Sequence, residues 1–306
     1  MPDKILQYDV MAKLGEGAKS SIYAVQDPGT RKTYALKHVI RDESKDIRFV
    51  EQMETEFEIS RQFNHPNLRK TYELKISKTL LMKVTEAYML MELFDGKALD
   101  ERPPSSVPEV IEIFLQVAAG LKAMHELGFV HCDLKPNNIL RNSVGHVKVI
   151  DYGQSCKIGT VKERIQGTPD YIAPEQVDRR PLSVQTDVYN FGATMYWALT
   201  GKNIPTLYTV KKKGEHSFLL DNRIDSPIDL NPQVPESLSK LVMECVSTRV
   251  SKRPADMDDV TTRLELAKHI MAKQAGQLAA GRASDIDLGD SVSGDTVVEP
   301  EKKKKA

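Results

Sequence analysis

His131-Cys132-Asp133-Leu134-Lys135-Pro136-Asn137-Asn138 is the most chemically dense stretch of this 306-residue chain. It sets an Asp, a Lys two residues on and an Asn five residues on within one short loop. A carboxylate can take a proton from a hydroxyl, a lysine can neutralise a transferring phosphoryl group, and an amide oxygen can bind a hard divalent cation. A merely solvated loop is a poor explanation, because its flanks are apolar. Before it, Val110, Phe114, Val117, Ala118 and Leu121 fall on one side of a helix predicted over Val107 to Leu127. After it, Asn138 to Leu140 and Val147 to Ile150 read as short strands around Gly145.

Moving outward, Asp151-Tyr152-Gly153 follows the second strand directly. A carboxylate at the end of a buried strand is costly unless paired or metal-bound, so Asp151 is placed to hold Mg²⁺. Upstream stands Leu14-Gly15-Glu16-Gly17-Ala18-Lys19-Ser20-Ser21-Ile22-Tyr23. Its glycines let backbone amides approach phosphate oxygens, although Ser20 occupies the place of a third glycine. Tyr34-Ala35-Leu36-Lys37 ends an apolar strand on a lysine that can return to the same phosphates. Such a lysine needs a carboxylate partner, and Glu54, Glu56 and Glu58 are all candidates on a helical pattern marked by Phe49, Met53, Phe57, Ile59 and Phe63. Downstream come Gly167-Thr168-Pro169-Asp170-Tyr171-Ile172-Ala173-Pro174-Glu175 and Asp187-Val188-Tyr189-Asn190-Phe191-Gly192.

Composition bounds the alternatives. Lys+Arg and Asp+Glu both number 43, and zero net charge argues against a general nucleic-acid coat. No run of 18 apolar residues exists to span a bilayer, and Met1 to Val10 lacks a secretory signal. The three cysteines, Cys132, Cys156 and Cys245, lack metal-ligand spacing and favour a reducing compartment, so a cytoplasmic location is expected. A membrane tether stays open should the basic run Lys302 to Lys305 lead on into a longer protein. A sheet-rich front and a helix-rich back, with helices at Thr186 to Thr200, Glu236 to Thr248 and Ala255 to about Gln277, predict an α+β chain of two lobes. From Gly281 the composition predicts a disordered tail. Lys211-Lys212-Lys213 reads as a solvated turn, with a docking patch for acidic substrates as the sharper alternative.

In this order, the glycine loop, strand lysine, H-x-D-L-x-x-x-N loop, D-x-G and A-P-E motifs resemble a protein kinase catalytic domain. The resemblance covers about Tyr8 to Ala272. Lys135 and Gly167-Thr168 make it similar to serine/threonine kinases, and the short span from Asp151 to Glu175 is nearer to bacterial members in style. It implies a bilobal fold with a β-rich N-lobe over residues 8–91, a hinge and helical C-lobe over 92–272, and a helix extension with a disordered tail over 273–306.

The resemblance also implies roles. Gly15 and Gly17 would cover the ATP phosphates and Lys37 would bind them, with Glu56 picked out as its partner. Asp133 would be the catalytic base, Lys135 would meet the γ-phosphate, and the Thr168 hydroxyl would bridge them. Asn138 and Asp151 would hold Mg²⁺ or Mn²⁺. Met91 would be the gatekeeper, and main-chain groups of Glu92 and Phe94 would meet adenine. A Val25-like side chain and Ala35 above, with Leu140 below, would sandwich the ring, and Leu14 and Ile22 join the set. Glu175 would pair with Arg253, and Asp187 would brace the catalytic loop. The expected partners are ATP and protein substrates, with no nucleic acid. Autophosphorylation is expected, with Ser284, Ser291, Ser293 and Thr296 as tail sites, and the oligomeric state is open. A kinase-like scaffold with weak catalysis is the competing expectation.

Three departures from the family pattern matter. Ser20 replaces the third glycine. Ser60 stands at a usually apolar position, which predicts a less firmly held Glu56 helix. Cys132 replaces the arginine that, in the family, meets a phosphate on the activation segment. That segment offers Ser155 and Thr160 as hydroxyls, and without the arginine their phosphorylation is not expected to be the switch.

Overall fold

The computed structural model describes residues 2–17, 19–41, 46–79, 84–212 and 224–287. The front of the chain forms β1 (Lys4–Ile5), β2 (Tyr8–Glu16), β3 (Ser20–Gln26), β4 (Thr33–Ile40), α1 (Ile47–Ser60), β5 (Thr71–Lys78) and β6 (Val84–Glu92). These strands make one antiparallel sheet in the order β1-β2-β3-β4-β6-β5. Strand alternation sorts its side chains. Tyr23, Val25 and Leu36 pack with Tyr8 and Leu90 on one face. Ile22 and Ala35 face the other way, toward Met53, Met89 and Met91. Val25 therefore lies on the far side from the cleft, and Ile22 takes the place expected of a Val25-like side chain.

Helix α1 lies on that inner face. Its buried residues are Val50, Met53, Glu56, Ile59 and Ser60, while Phe49 and Phe57 are half-buried. Of the apolar pattern Phe49, Met53, Phe57, Ile59 and Phe63, the residues Met53, Ile59 and Phe63 are buried, whereas Phe49 and Phe57 stay half-buried. The helix is turned so that Glu56 faces inward, because Glu56 has an ion-pair partner there.

The back of the chain forms β7 (Lys97–Ala98), α2 (Val107–Glu126), β8 (Phe129–Val130), β9 (Ile139–Arg141), β10 (Val147–Val149), β11 (Cys156–Lys157), α3 (Pro174–Val177), α4 (Val184–Thr200), α5 (Leu207–Lys212), α6 (Pro227–Leu230), α7 (Glu236–Cys245) and α8 (Met257–Asp287). Helices α2, α4, α7 and α8 enclose the main apolar core, where Phe114 and Phe191 meet edge to face at 5.1 Å. Gly192 permits the approach of α4 to α7: a Cβ there would lie 2.4 Å from the Cys245 Cβ. The small sheets β10-β9-β7 and β11-β8 sit where the lobes meet and carry the chemically dense loops.

Helix α8 runs continuously to Asp287, so residues 281–287, expected in a disordered tail, are helical. Ser284 falls within this helix, whereas Ser291, Ser293, Thr296 and the Lys302 to Lys305 run lie outside the described residues. Of the lysine triplet, Lys211 and Lys212 end α5 and Lys213 is outside the described residues. Among the described residues no helix is long and apolar enough to cross a membrane.

Candidate active site

The loop between β8 and β9 is held from beneath by one buried carboxylate. Asp187, near the start of α4, accepts the backbone N–H groups of His131 and Cys132 at 2.8 Å each and lies 2.8 Å from His125 Nε2. Burial opposes its charge, but these donors outweigh burial and its pKa sits below the ordinary carboxylate value. The loop backbone turns left-handed at Cys132, with φ of 66°. The Cys132 carbonyl is tied to Gln176 Nε2 at 2.7 Å. His131 accepts the Asp133 N–H at Nδ1, 3.2 Å away, which leaves Nε2–H to donate to the Ile150 carbonyl at 3.2 Å.

On this platform Asp133, Lys135 and Thr168 close a ring. Thr168 Oγ1 donates to Asp133 Oδ1 at 2.8 Å, Lys135 Nζ meets Asp133 Oδ2 at 3.0 Å, and the same Nζ donates to Thr168 Oγ1 at 2.8 Å. Asn138 Nδ2 donates to the Asp133 carbonyl at 2.8 Å, so its own carbonyl oxygen is the end available to a cation.

Lys37 and Glu56 meet across the N-lobe at 2.6 Å, and Asp151 Oδ1 lies 4.0 Å from Lys37. Burial disfavours the Lys37 charge, but Glu56 and Asp151 override it, so its pKa lies above the ordinary lysine value. Burial likewise opposes the Asp151 carboxylate. Lys37, then Arg69, His131 and Lys135, more than offset it and hold its pKa low. Asp151 is left-handed, with φ of 64°, a strained backbone for a non-glycine residue. Of the three glutamates left open by the sequence, Glu54 and Glu58 are exposed and Glu56 is the buried one.

Two cavities lie end to end between the lobes. One of about 230 Å³ is lined by Leu14, Ile22, Ala35, Glu92, Phe94 and Leu140, among others. The other, about 560 Å³, is lined by Gly15, Gly17, Lys37, Asn138, Asp151 and Thr168, among others. Met91 is fully buried and pairs with Ala35 across β4 and β6. The glycine loop turns through a Gly17 N–H to Ser20 carbonyl bond of 2.7 Å, and a Cβ on Gly17 would sit 2.9 Å from Ser20 Oγ.

Two residues that organise the site, Arg69 and Lys148, gave no signal in the sequence. Arg69 is buried beside both cavities, with its guanidinium 3.8 Å from Glu56 Oε1. Its backbone N–H donates to the Tyr152 hydroxyl at 2.8 Å, and that hydroxyl donates to the Val149 carbonyl at 2.7 Å. Lys148 reaches Glu92 Oε2 at 2.9 Å and braces the segment joining the lobes. Ser60 Oγ donates to the Glu56 carbonyl at 2.5 Å and lies 2.8 Å from Thr71 Oγ1. At Ser60 the Glu56 helix is thus held by a hydroxyl pair, not left short of support.

In the segment after Asp151, Ser155 is buried, and its hydroxyl bonds to the His131 carbonyl at 3.3 Å. The expectation that it is an available hydroxyl is therefore corrected: it is a packing residue. Thr160 is half-buried, and Gly159 N–H to Leu182 O at 2.7 Å and Leu182 N–H to Thr160 O at 3.0 Å pin its backbone. Glu175 and Arg253 form a two-pronged buried ion pair at 2.7 and 3.0 Å.

Comparison with known proteins agrees with this geometry. A family profile described as the protein kinase domain matches residues 8–270. The chain is 27% identical over 292 residues to the serine/threonine-protein kinase PknD of Chlamydia pneumoniae, covering 85% of this chain and 31% of that protein. It is 26% identical to a probable serine/threonine-protein kinase of Corynebacterium efficiens, covering 97% of this chain and 45% of the relative. It is also 26% identical to the probable serine/threonine-protein kinase PknB of Lactococcus lactis, covering 84% and 41%. The chain thus spans less than half the length of these three relatives. With the profile matched over most of its length, a two-lobed fold and both cavities at the lobe junction, this chain belongs to the protein kinase domain family.

Proposed function

We propose that this chain transfers the γ-phosphoryl group of ATP to serine and threonine hydroxyls of proteins, with a divalent cation. The observation that carries the reading is the closed ring of Asp133, Lys135 and Thr168, of which Lys135 and Thr168 line the same cavity as Lys37 and Asp151. The donor set fits Mg²⁺ or Mn²⁺: Asn138 and Asp151 supply oxygen ligands to one cavity. Few protein ligands suit a cation that completes its shell with phosphate and water. When bound, such a cation neutralises phosphate charge.

The chain's own groups supply the rest. The apolar walls of Leu14, Ile22, Ala35 and Leu140 suit a flat aromatic ring. Glu56 fixes the Lys37 ammonium where the deeper cavity opens. Asp133 takes the proton of the acceptor hydroxyl, and Lys135 answers charge that develops on the transferring group. Thr168 holds Asp133 in one orientation. The Lys135 and Thr168 side chains that flank Asp133 suit a short aliphatic hydroxyl as acceptor.

Incubation of the protein with Mg–ATP and a mixed peptide set, followed by phosphosite mass spectrometry, tests this. Phosphoserine and phosphothreonine are expected, and Lys37→Met is expected to abolish both. A predominance of phosphotyrosine, or full transfer by Lys37→Met, overturns the reading.

Because Cys132 carries no charge and Thr160 is already tied to Leu182, phosphate on this segment has little left to order. Thr160→Ala is expected to keep kcat within about tenfold of wild type, at most about 1.4 kcal/mol of barrier. A far greater loss that Thr160→Asp restores shows instead that the segment needs a negative charge.

A further inference from the structure

We propose that Cys132 and Cys156 form a modification site at which a hydroperoxide converts two thiols into an intramolecular disulfide, joining the catalytic loop to the activation segment. The sulfurs lie 3.8 Å apart, and Cys132 is buried while Cys156 is half-buried. The juxtaposition follows from the fold. Cys156 pairs with Val130 in the β11-β8 ladder, and Cys132 follows Val130 by two residues. Val130, Cys132 and Leu182 form a small apolar cluster against which Cys156 packs.

A disulfide brings its sulfurs to about 2.05 Å, so one side must yield. Cys132 is poorly able to move. Its N–H is held by Asp187 Oδ1 at 2.8 Å and its carbonyl by Gln176 at 2.7 Å. Cys156 sits on a two-residue strand whose one partner is β8, followed closely by Gly159 at φ of 87°. The approach is therefore made from the Cys156 side, and Asp133 keeps its place.

The two thiols differ in character, which sets the order of events. Either sulfur can donate in the 3.8 Å contact; with the buried Cys132 as donor, and with Lys162 and Thr160 nearby, a thiolate is favoured at Cys156 despite burial, and its pKa falls below that of an ordinary thiol. The same hydrogen bond, burial and the nearby Asp187 charge push Cys132 upward, so it keeps its proton. In the first step the Cys156 thiolate attacks one oxygen of the hydroperoxide. An S–O bond forms, the O–O bond breaks, and water or an alcohol leaves after protonation. In the second step the Cys132 sulfur attacks the Cys156 sulfenic acid and displaces hydroxide, which leaves as water with the Cys132 proton. Two electrons pass from the thiols to the peroxide, and a thiol reductant reverses the change. The new bond fastens covalently a segment that Cys132 cannot fasten through charge. In a reducing compartment such a bond is a transient, signal-bearing one.

The test treats the full chain with hydrogen peroxide, blocks free thiols, and maps peptides without reduction. A cross-linked peptide pair containing Cys132 and Cys156, two hydrogens lighter than its parts and split by dithiothreitol, is expected from monomeric protein. Cys156→Ser abolishes it, and so does Cys132→Ser. Cys245→Ala retains it, since the Cys245 thiol is buried in the main core with its pKa pushed up to about 12. Tryptic cutting after Lys162 and Arg164 slows by about tenfold or more in the oxidised wild type, because local opening is restrained, and is unchanged by oxidation in Cys156→Ser. Should Cys132→Ser fail to fold, Cys156→Ser at its half-buried position carries the comparison. Unmodified thiols, sulfinic acid on Cys156 without a cross-link, or a bond between two chains overturns the proposal. Neither readout depends on phosphoryl transfer.

Discussion

Asp133→Asn is expected to lower phosphoryl transfer by at least about a thousandfold, the scale of removing a positioned general base. The asparagine keeps the size of the side chain and leaves the two bonds of Asp187 to the loop backbone intact, so the fold should survive. What disappears is the proton acceptor, together with the charge that holds Lys135 Nζ at 3.0 Å. Thr168→Ala removes one hydroxyl donor to the Asp133 carboxylate and a resting place for Lys135 but leaves the proton acceptor, so it should cost far less, about ten- to a hundredfold. Asp151→Asn should match Asp133→Asn in severity, because it removes the negative charge from the oxygen set offered to the cation and unbalances Lys37. Radiolabel transfer at saturating ATP and peptide, run beside a thermal melt, checks the series. Asp133→Asn with near-normal kcat and an unchanged melt removes Asp133 from the chemistry.

The second large effect concerns stability. Glu175→Ala should destabilise the fold by about 3–5 kcal/mol, because it strands a buried guanidinium. Arg253 is fully enclosed at its side chain, lies 4.9 Å from the Tyr189 ring, and spends Nε on the Ser247 carbonyl at 2.8 Å. The Gln185 carbonyl also accepts from Nη1 at 2.8 Å, but it brings no negative charge, and Nη2 would lose the Glu175 oxygen it meets at 3.0 Å. For a domain of this size the loss corresponds to roughly 10 °C in melting temperature. The double variant Glu175→Leu, Arg253→Met should recover much of it, since two apolar side chains bury more cheaply than one lone cation. Calorimetry or circular dichroism decides: a shift below about 2 °C for Glu175→Ala means that the pair does not carry the burial seen here. Because Glu175 ends the Gly167 to Glu175 segment, loss of the pair should also expose that segment to proteolysis before the rest of the core.

The main elements were legible in the sequence because their signals are local. An apolar run ending on Lys37 marked β4, one-sided helical spacing marked α2, and the Asp, Lys and Asn of the catalytic loop stood within one loop of sequence. Choosing Glu56 among three glutamates required the family pattern, since Glu54, Glu56 and Glu58 all stand on the same helical stretch and the sequence does not say which one has a cation opposite it. Arg69 and Lys148 were invisible for another reason. Each is a cation in an ordinary-looking strand environment whose carboxylate partner, Glu56 or Glu92, is distant in sequence. The Ser60 to Thr71 bond was misread because a hydroxyl on a buried helix face looks like a gap until its partner on β5 is known. Ser155 looked accessible because composition does not report that β11 folds its neighbour under the catalytic loop. The tail was set to begin too early because the polar composition from Gly281 onward was read as one segment, whereas the α8 backbone continues through its first seven residues to Asp287.

The two amides clasped by Asp187 belong to the residues that immediately precede Asp133, yet their acceptor sits on a helix of the main core. The hydrogens on His131 and Cys132 should therefore be among the slowest to exchange with solvent, a result that amide exchange followed by mass spectrometry would check. The catalytic loop is thus part of the last cooperative unit to melt, not a flexible appendage to it. On warming, the alignment of Asp133 should persist until the C-lobe collapses as a whole, and any earlier fall in turnover must originate in the N-lobe or the activation segment.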